Sequence, residues 1–135
     1  MGRAAYHGDE TRTLLELLLR LEDDIRRRLE PIRVTPSQAG VILFLHRYAD
    51  SRVTDAATAL DVSLATLSRT VTALVRKRWV TKRRSVTDTR VVCLLLSRRE
   101  NALTRQIAQR VRQVNAILDE QDRRALGMIL KGRRG

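Results

Sequence analysis

The sequence predicts a mainly α-helical domain carrying one small β-hairpin. Three observations predict it. Apolar residues recur at three- and four-residue steps through most of the chain, the period of a helix with one buried face. That period gives way to alternation only between Trp79 and Leu96. Helix-start signals stand at Thr35 to Gln38 and again at Ser63.

The elements follow in chain order. Residues 9–30 read as a helix whose stripe is Leu14, Leu18, Leu21, Ile25 and Leu29, widened by Leu15, Leu17 and Leu19. So apolar a surface needs cover from the rest of the domain or from a second chain. Pro31 ends this helix. Thr35 and Gln38 make a capping box around Pro36, which suits the first helical position, and the second helix runs to about Ala49. Asp50 to Arg52 reads as a turn, Val53 as an extended residue, and Thr54 as the cap of a short helix over 55–60. Residues 60–63 form a tight turn, and Ser63 caps a helix from Leu64 to about Lys77. Trp79–Ser85 and Arg90–Leu96 are β-prone runs joined by a polar turn. Helical spacing returns with Leu103, Ile107, Val111, Val114 and Leu118, and Asp119 can cap a last helix holding Leu126, Ile129 and Leu130.

Composition narrows the function. At 135 residues the chain suits one domain, 1–135. One cysteine rules out an internal disulfide framework and fits a reducing compartment. No apolar run is long enough to span a bilayer, and residues 1–12 lack the apolar core of a signal peptide, so the expected location is cytoplasmic with no membrane partner. Two histidines and one distant cysteine do not make a metal constellation, and no nucleophile–base pair or phosphate loop stands out; neither an enzyme nor a cofactor is expected. The net charge of +12 suggests an acidic partner. Residues 1–33 carry seven arginines and seven acidic groups, whereas 34–97 and 98–135 each carry ten basic against four acidic groups. The excess charge thus avoids the first helix.

Three helices with a tight turn before the third, followed by a hairpin, make a winged helix-turn-helix. On a helical wheel, Leu64, Leu67, Val71, Leu74 and Val75 share the inner side of the helix from Leu64 to Lys77. Ala65, Thr66, Arg69, Thr72, Ala73 and Arg76 share the outer side. That outer side is small, hydroxylated and cationic, which suits close approach to a DNA groove. An ordinary solvated helix face would have a similar composition; the adjoining hairpin and the charge favour the DNA reading. Cys93 alternates with Val91 and Leu95 and reads as a buried small apolar residue. His46 reads as a partly buried or pocket residue.

The stretches "TPSQAGVILFLHRY", "DAATALDVSLATLSRTVTALVRKRWV" and "KRRSVTDTRVVCLLLS", with the pair Asp88 and Arg90, resemble the MarR family of transcription regulators. The resemblance covers about residues 10–131. It implies a homodimer on a pseudo-palindromic DNA duplex, acting as a regulator and in the first instance a repressor. Residues 9–33 and 98–131 would supply the dimerisation helices, through Leu14, Leu18, Leu21, Ile25, Leu103, Ile107, Val111, Val114, Leu118, Leu126 and Ile129. The lobe over 35–97 would bind DNA. There Ser63, Ala65, Thr66, Ser68, Arg69 and Arg76 would face the major groove. Lys82, Arg83 and Arg84 would hold phosphates, and Arg90 would enter the minor groove, aimed by Asp88. A small-molecule effector between dimer helices and lobe would meet Arg20, His46 and Tyr48. The chain departs from the family pattern at Asp61 and Arg78, where glycine is usual, and at Ser97-Arg98-Arg99-Glu100, where the family has Thr-x-x-Gly. An architectural DNA-binding protein of the same fold, or a module docking an acidic protein, are the alternatives.

Overall fold

The computed structural model describes residues 14–97, 101–116, 124–128 and 131. It contains α1 (Leu14–Leu29), a 3-10 turn (Glu30–Ile32), α2 (Pro36–Arg47), β1 (Ser51–Arg52), α3 (Val53–Leu60), α4 (Leu64–Arg76), β2 (Val80–Arg84), β3 (Val92–Leu96) and α5 (Asn101–Asn115). The backbone over 124–128 is helical as well. Among the described residues no helix is long and apolar enough to cross a membrane. Asp119, Leu118 and Ile129 lie outside the described residues, as do Arg98, Arg99 and Glu100 and the side chain of Leu14.

Local chemistry sets the helix ends. Pro31 cannot continue the α1 hydrogen-bond ladder, so the chain tightens into the 3-10 turn and leaves it through Arg33 in the left-handed region, φ 57°. The capping box is present: the Gln38 amide donates to Thr35 Oγ1 at 3.1 Å, and the Thr35 amide donates to Gln38 Oε1 at 3.2 Å. Ser63 caps α4 by accepting from the Thr66 amide at 3.1 Å. Asp61 makes the tight turn at φ 56°, as an aspartate can. Arg78 takes φ 64° itself, so the missing glycine does not abolish the turn. Its amide donates to the Val75 carbonyl and the Trp79 amide to the Leu74 carbonyl, both at 2.9 Å, which closes α4 as a Schellman motif.

Two expectations in this region are corrected. Residues 51–52 are not only turn: Asp50 turns at φ 61°, and Ser51 and Arg52 then pair with Leu94 and Cys93 of β3. The hairpin is therefore part of a three-stranded antiparallel sheet, ordered β1-β3-β2. Because pairing holds the chain extended as far as Arg52, α3 starts at once with Val53. Thr54 lies inside the helix and does not cap it. Arg52 stands at the cap position, its guanidinium 3.0 Å from Asp55.

The core joins all layers. Leu29, Val34, Ile42, Leu45, Leu67, Val71, Leu74, Val80, Leu94 and Ile107 are buried together. Ala56 and Ala57 keep α3 close to its neighbours because they add almost no bulk at the crossing. α5 packs against α1, α2 and the 3-10 turn. Ile107, expected to face a second chain, is fully buried in the core of its own chain, and Ile25, Leu103 and Val111 pack against that core. Lying across α1 and α2, α5 spends the centre of its stripe inside its own chain; Val114 near its end, Leu21 on α1 and Leu126 are half-buried. Leu15, Leu18 and Leu19 stay exposed.

In left-handed backbone the Cβ of an L-residue crowds the following carbonyl oxygen, which costs arginine about 1–2 kcal/mol. Arg78→Gly is expected to raise unfolding free energy by roughly 1 kcal/mol in urea titration. A loss of stability would show that the Arg78 side chain contributes more than its backbone costs.

Candidate nucleic-acid interface

Leu67, Val71 and Leu74 are buried to 1% exposure or less and turn one side of α4 into the core. The opposite side carries Ala65, Ser68, Arg69, Thr72 and Arg76, all exposed as expected. Thr66 is half-buried on the shoulder. The first turn is wired on its surface: the Ser63 hydroxyl donates to Thr66 Oγ1 at 2.9 Å, and Arg69 Nη2 donates to the same oxygen at 3.4 Å. This ties the arginine to the helix start, where backbone N–H groups favour an anion. Ser68, Arg69, Thr72, Ala73 and Arg76 line a shallow groove along the helix.

Leu64 and Val75, placed inward by the wheel, are exposed at 51% and 36%. The buried arc is narrower than assumed. It centres on Leu67, Val71 and Leu74, and Leu64 and Val75 fall at its wing-side edge at about 100° per residue.

The wing is built around its tip. Alternation puts Lys82 and Arg84 on the sheet face shared with Val80, towards α4, and Arg83 on the opposite face. Arg83 pairs with Asp50 and so binds β2 to the turn before β1. That ion pair holds the guanidinium expected to reach a phosphate. Arg84 Nη1 donates to the Thr89 carbonyl at 2.7 Å, bracing the tip from below. Lys82 faces Ser68 across a cleft of about 350 Å³ that is also lined by Arg52, Leu64, Val71 and Arg90.

At the tip itself, Asp88 Oδ1 accepts from the Arg90 amide at 3.0 Å and from Arg90 Nε at 3.2 Å. One carboxylate oxygen thus closes an Asx turn and orients the guanidinium at once. Arg90 remains 90% exposed. It lies in the turn, not in the strand, since β3 begins at Val92. Ser85 Oγ accepts from the Thr87 and Asp88 amides at 3.3 and 3.4 Å, completing the turn. Val86 projects from it almost fully exposed.

The residues with this geometry fall in a recognisable stretch. Residues 34–91 match the model of the MarR family. Over that stretch the chain is similar to the MarR family, and the lobe has a winged-helix fold. Three solved structures show how far the likeness of fold extends. A Cys-to-Ser mutant of E. coli MarR complexed with operator DNA has a TM-score of 0.74 at 22% identity, over 88% of this chain and 89% of that one. CouR, a transcriptional repressor bound to a 23-mer DNA duplex, has 0.77 at 24% identity, over 90% and 89%. BpsR of Bordetella bronchiseptica, whose DNA binding is regulated by 6-hydroxynicotinic acid, has 0.77 at 17% identity, over 90% and 96%. No curated protein is significantly similar to the chain in sequence.

Other expected sites of the chain are placed differently. His46 is exposed, not partly buried, because α2 buries Gln38, Ala39, Val41, Ile42 and Leu45, and His46 is a further ~100° around. Tyr48 is exposed too, its ring 5.2 Å from Phe44 and 5.8 Å from the Arg47 guanidinium. Arg20 is exposed on α1, and none of the clefts beside α4 is lined by these three. Cys93 is buried, as alternation implied. Sequence reasoning missed Arg52, Leu64 and Val86 at this surface. Ser85 three residues before Asp88, and Asp88 two before Arg90, are turn signals that define the tip.

Asp88→Ala is expected to speed hydrogen exchange at the Arg90 amide while global stability changes by less than about 1 kcal/mol. Unchanged exchange would mean the turn holds without the carboxylate.

Proposed function

We propose that the chain is a homodimeric, sequence-specific DNA-binding transcription regulator, in the first instance a repressor, acting on a pseudo-palindromic site. The observation that carries this reading is the pairing of an outward α4 face of small, hydroxyl and arginine side chains with an arginine aimed from the wing tip by Asp88. A single core, which includes residues of α4, β2 and β3, fixes the two parts relative to each other. In this reading Ser63, Ala65, Thr66, Ser68, Arg69 and Arg76 meet the major groove. Lys82 and Arg84 meet phosphates, and Arg90 the minor groove. The DNA-bound structures of E. coli MarR and CouR support it by fold.

Dimerisation is supported by Leu15, Leu18 and Leu19, three exposed leucines on one helix that the subunit leaves uncovered. Control by a small molecule is supported by the BpsR likeness. It is supported also by two clefts flanking α4, one of about 260 Å³ lined by Pro36, Val41, Leu60 and Thr66, the other the wing-side cleft. These clefts lie beside the reading helix, as Arg20, His46 and Tyr48 do not.

Arg90→Ala is expected to weaken duplex binding by about 1–3 kcal/mol in a mobility-shift titration. Unchanged affinity would remove Arg90 from the interface. The logarithm of affinity should fall with the logarithm of salt at a slope near −0.9 per phosphate neutralised; a flat response contradicts an electrostatic footprint. Leu18→Lys with Leu19→Lys should sediment as a 15.5 kDa monomer, and the native chain is expected to sediment at about twice that mass; an unchanged mass in the double variant would remove this face from the dimer contact.

A further inference from the structure

Leu64 opens α4, and 51% of its surface lies in water. A lone exposed leucine is ordinary on a protein surface; its position is what gives this one a consequence. It stands directly after the Ser63 cap, in the turn of the helix that meets base edges when such a helix enters a major groove. Its outward neighbours Ala65 and Ser68 are short, so they leave its wing-side flank open. Leu67, Val71 and Leu74 already fill the buried arc and fix the rotation of the helix, which keeps Leu64 at the surface. With Val53 and Val91 it lines the cleft between helix and wing.

The groove offers such a side chain one partner. The C5 methyl of thymine is the one methyl group that the bases present there, whereas cytosine carries only a hydrogen at that carbon and has an amino donor beside it in place of thymine's O4. A leucine over cytosine would lose the methyl contact and would crowd the neighbouring donor, which costs free energy if no acceptor reaches it. We propose that Leu64 is a specificity-determining residue that reads a thymine methyl group, one in each half-site. The proposal rests on the DNA-binding reading above and deepens it: Arg69 and the hydroxyls supply polar contacts, and Leu64 supplies discrimination between the two pyrimidines.

The test uses the duplex that the full-length protein selects from a random pool. Each thymine is replaced singly by deoxyuridine, which lacks only the methyl group. One position per half-site is expected to cost the native protein about fourfold in affinity, the worth of one buried methyl. Leu64→Ala should bind the thymine and deoxyuridine duplexes equally, and Leu64→Met, still long and apolar, should keep the difference. Circular-dichroism melting establishes that each variant is folded, and the native and Leu64→Met results stand alone if Leu64→Ala is not. Indifference of the native protein at every thymine, or a Leu64→Ala variant as sensitive as the native one, overturns the proposal. Retention of a duplex without any deoxyuridine effect removes only the Leu64 contact. Failure to retain any duplex removes the DNA-binding reading and the contact with it.

Discussion

The rotation of α4 about its own axis is set by Leu67, Val71 and Leu74, and the rest of the surface depends on it. These side chains are sealed against residues of α2, α3 and the sheet, so a turn of the helix would open a cavity and expose three aliphatic groups together. Leu74 and Leu94 share that core, and β3 is the strand that pairs with both of its neighbours. Helix and wing are therefore held by one packing solution. A side chain on either projects from a common frame, which two separately hinged elements would not provide.

The frame is closed by turns that use costly backbone. Arg33, Asp61 and Arg78 each take left-handed φ, and each is followed by an apolar residue that packs on the core: Val34, Val62 and Trp79. The hydrophobic contact that accompanies a Schellman end offsets the strain. Lys77 adds a cross-brace. Its ammonium donates to the Arg33 carbonyl at 3.0 Å, lies 3.5 Å from Gln38 Oε1, and sits 4.6 Å over the Trp79 ring. One cation thereby joins the start of α2 to the end of α4.

What could be read from the sequence was what local chemistry decides. Thr35 with Gln38, Ser63, Asp61 and the β-prone runs before and after the wing turn have their causes within a few residues, and the structure keeps them, with the strands trimmed to Val80–Arg84 and Val92–Leu96. The two-residue strand β1 has its cause in β3, some forty positions away, and nothing in Ser51-Arg52 signals it. Arg83 likewise looked like its neighbours Lys82 and Arg84 until Asp50 was brought to it by the sheet. Ile107 and Val111 show the same limit: a helical stripe reveals that a face is covered, but not whether its own chain or another covers it. His46 failed for a simpler reason, since one residue past Leu45 is enough to leave the buried face of α2.

Two threonines in α4 alter what its outer surface presents. Thr70 Oγ1 donates to the Thr66 carbonyl at 3.1 Å and Thr72 Oγ1 to the Ser68 carbonyl at 2.8 Å. A hydroxyl bonded back onto its own helix has committed its hydrogen there, so towards a partner it can only accept. At Thr72, on the exposed side of the helix, the group that meets it must therefore be a donor. A partner offering only acceptors finds no bond at that oxygen.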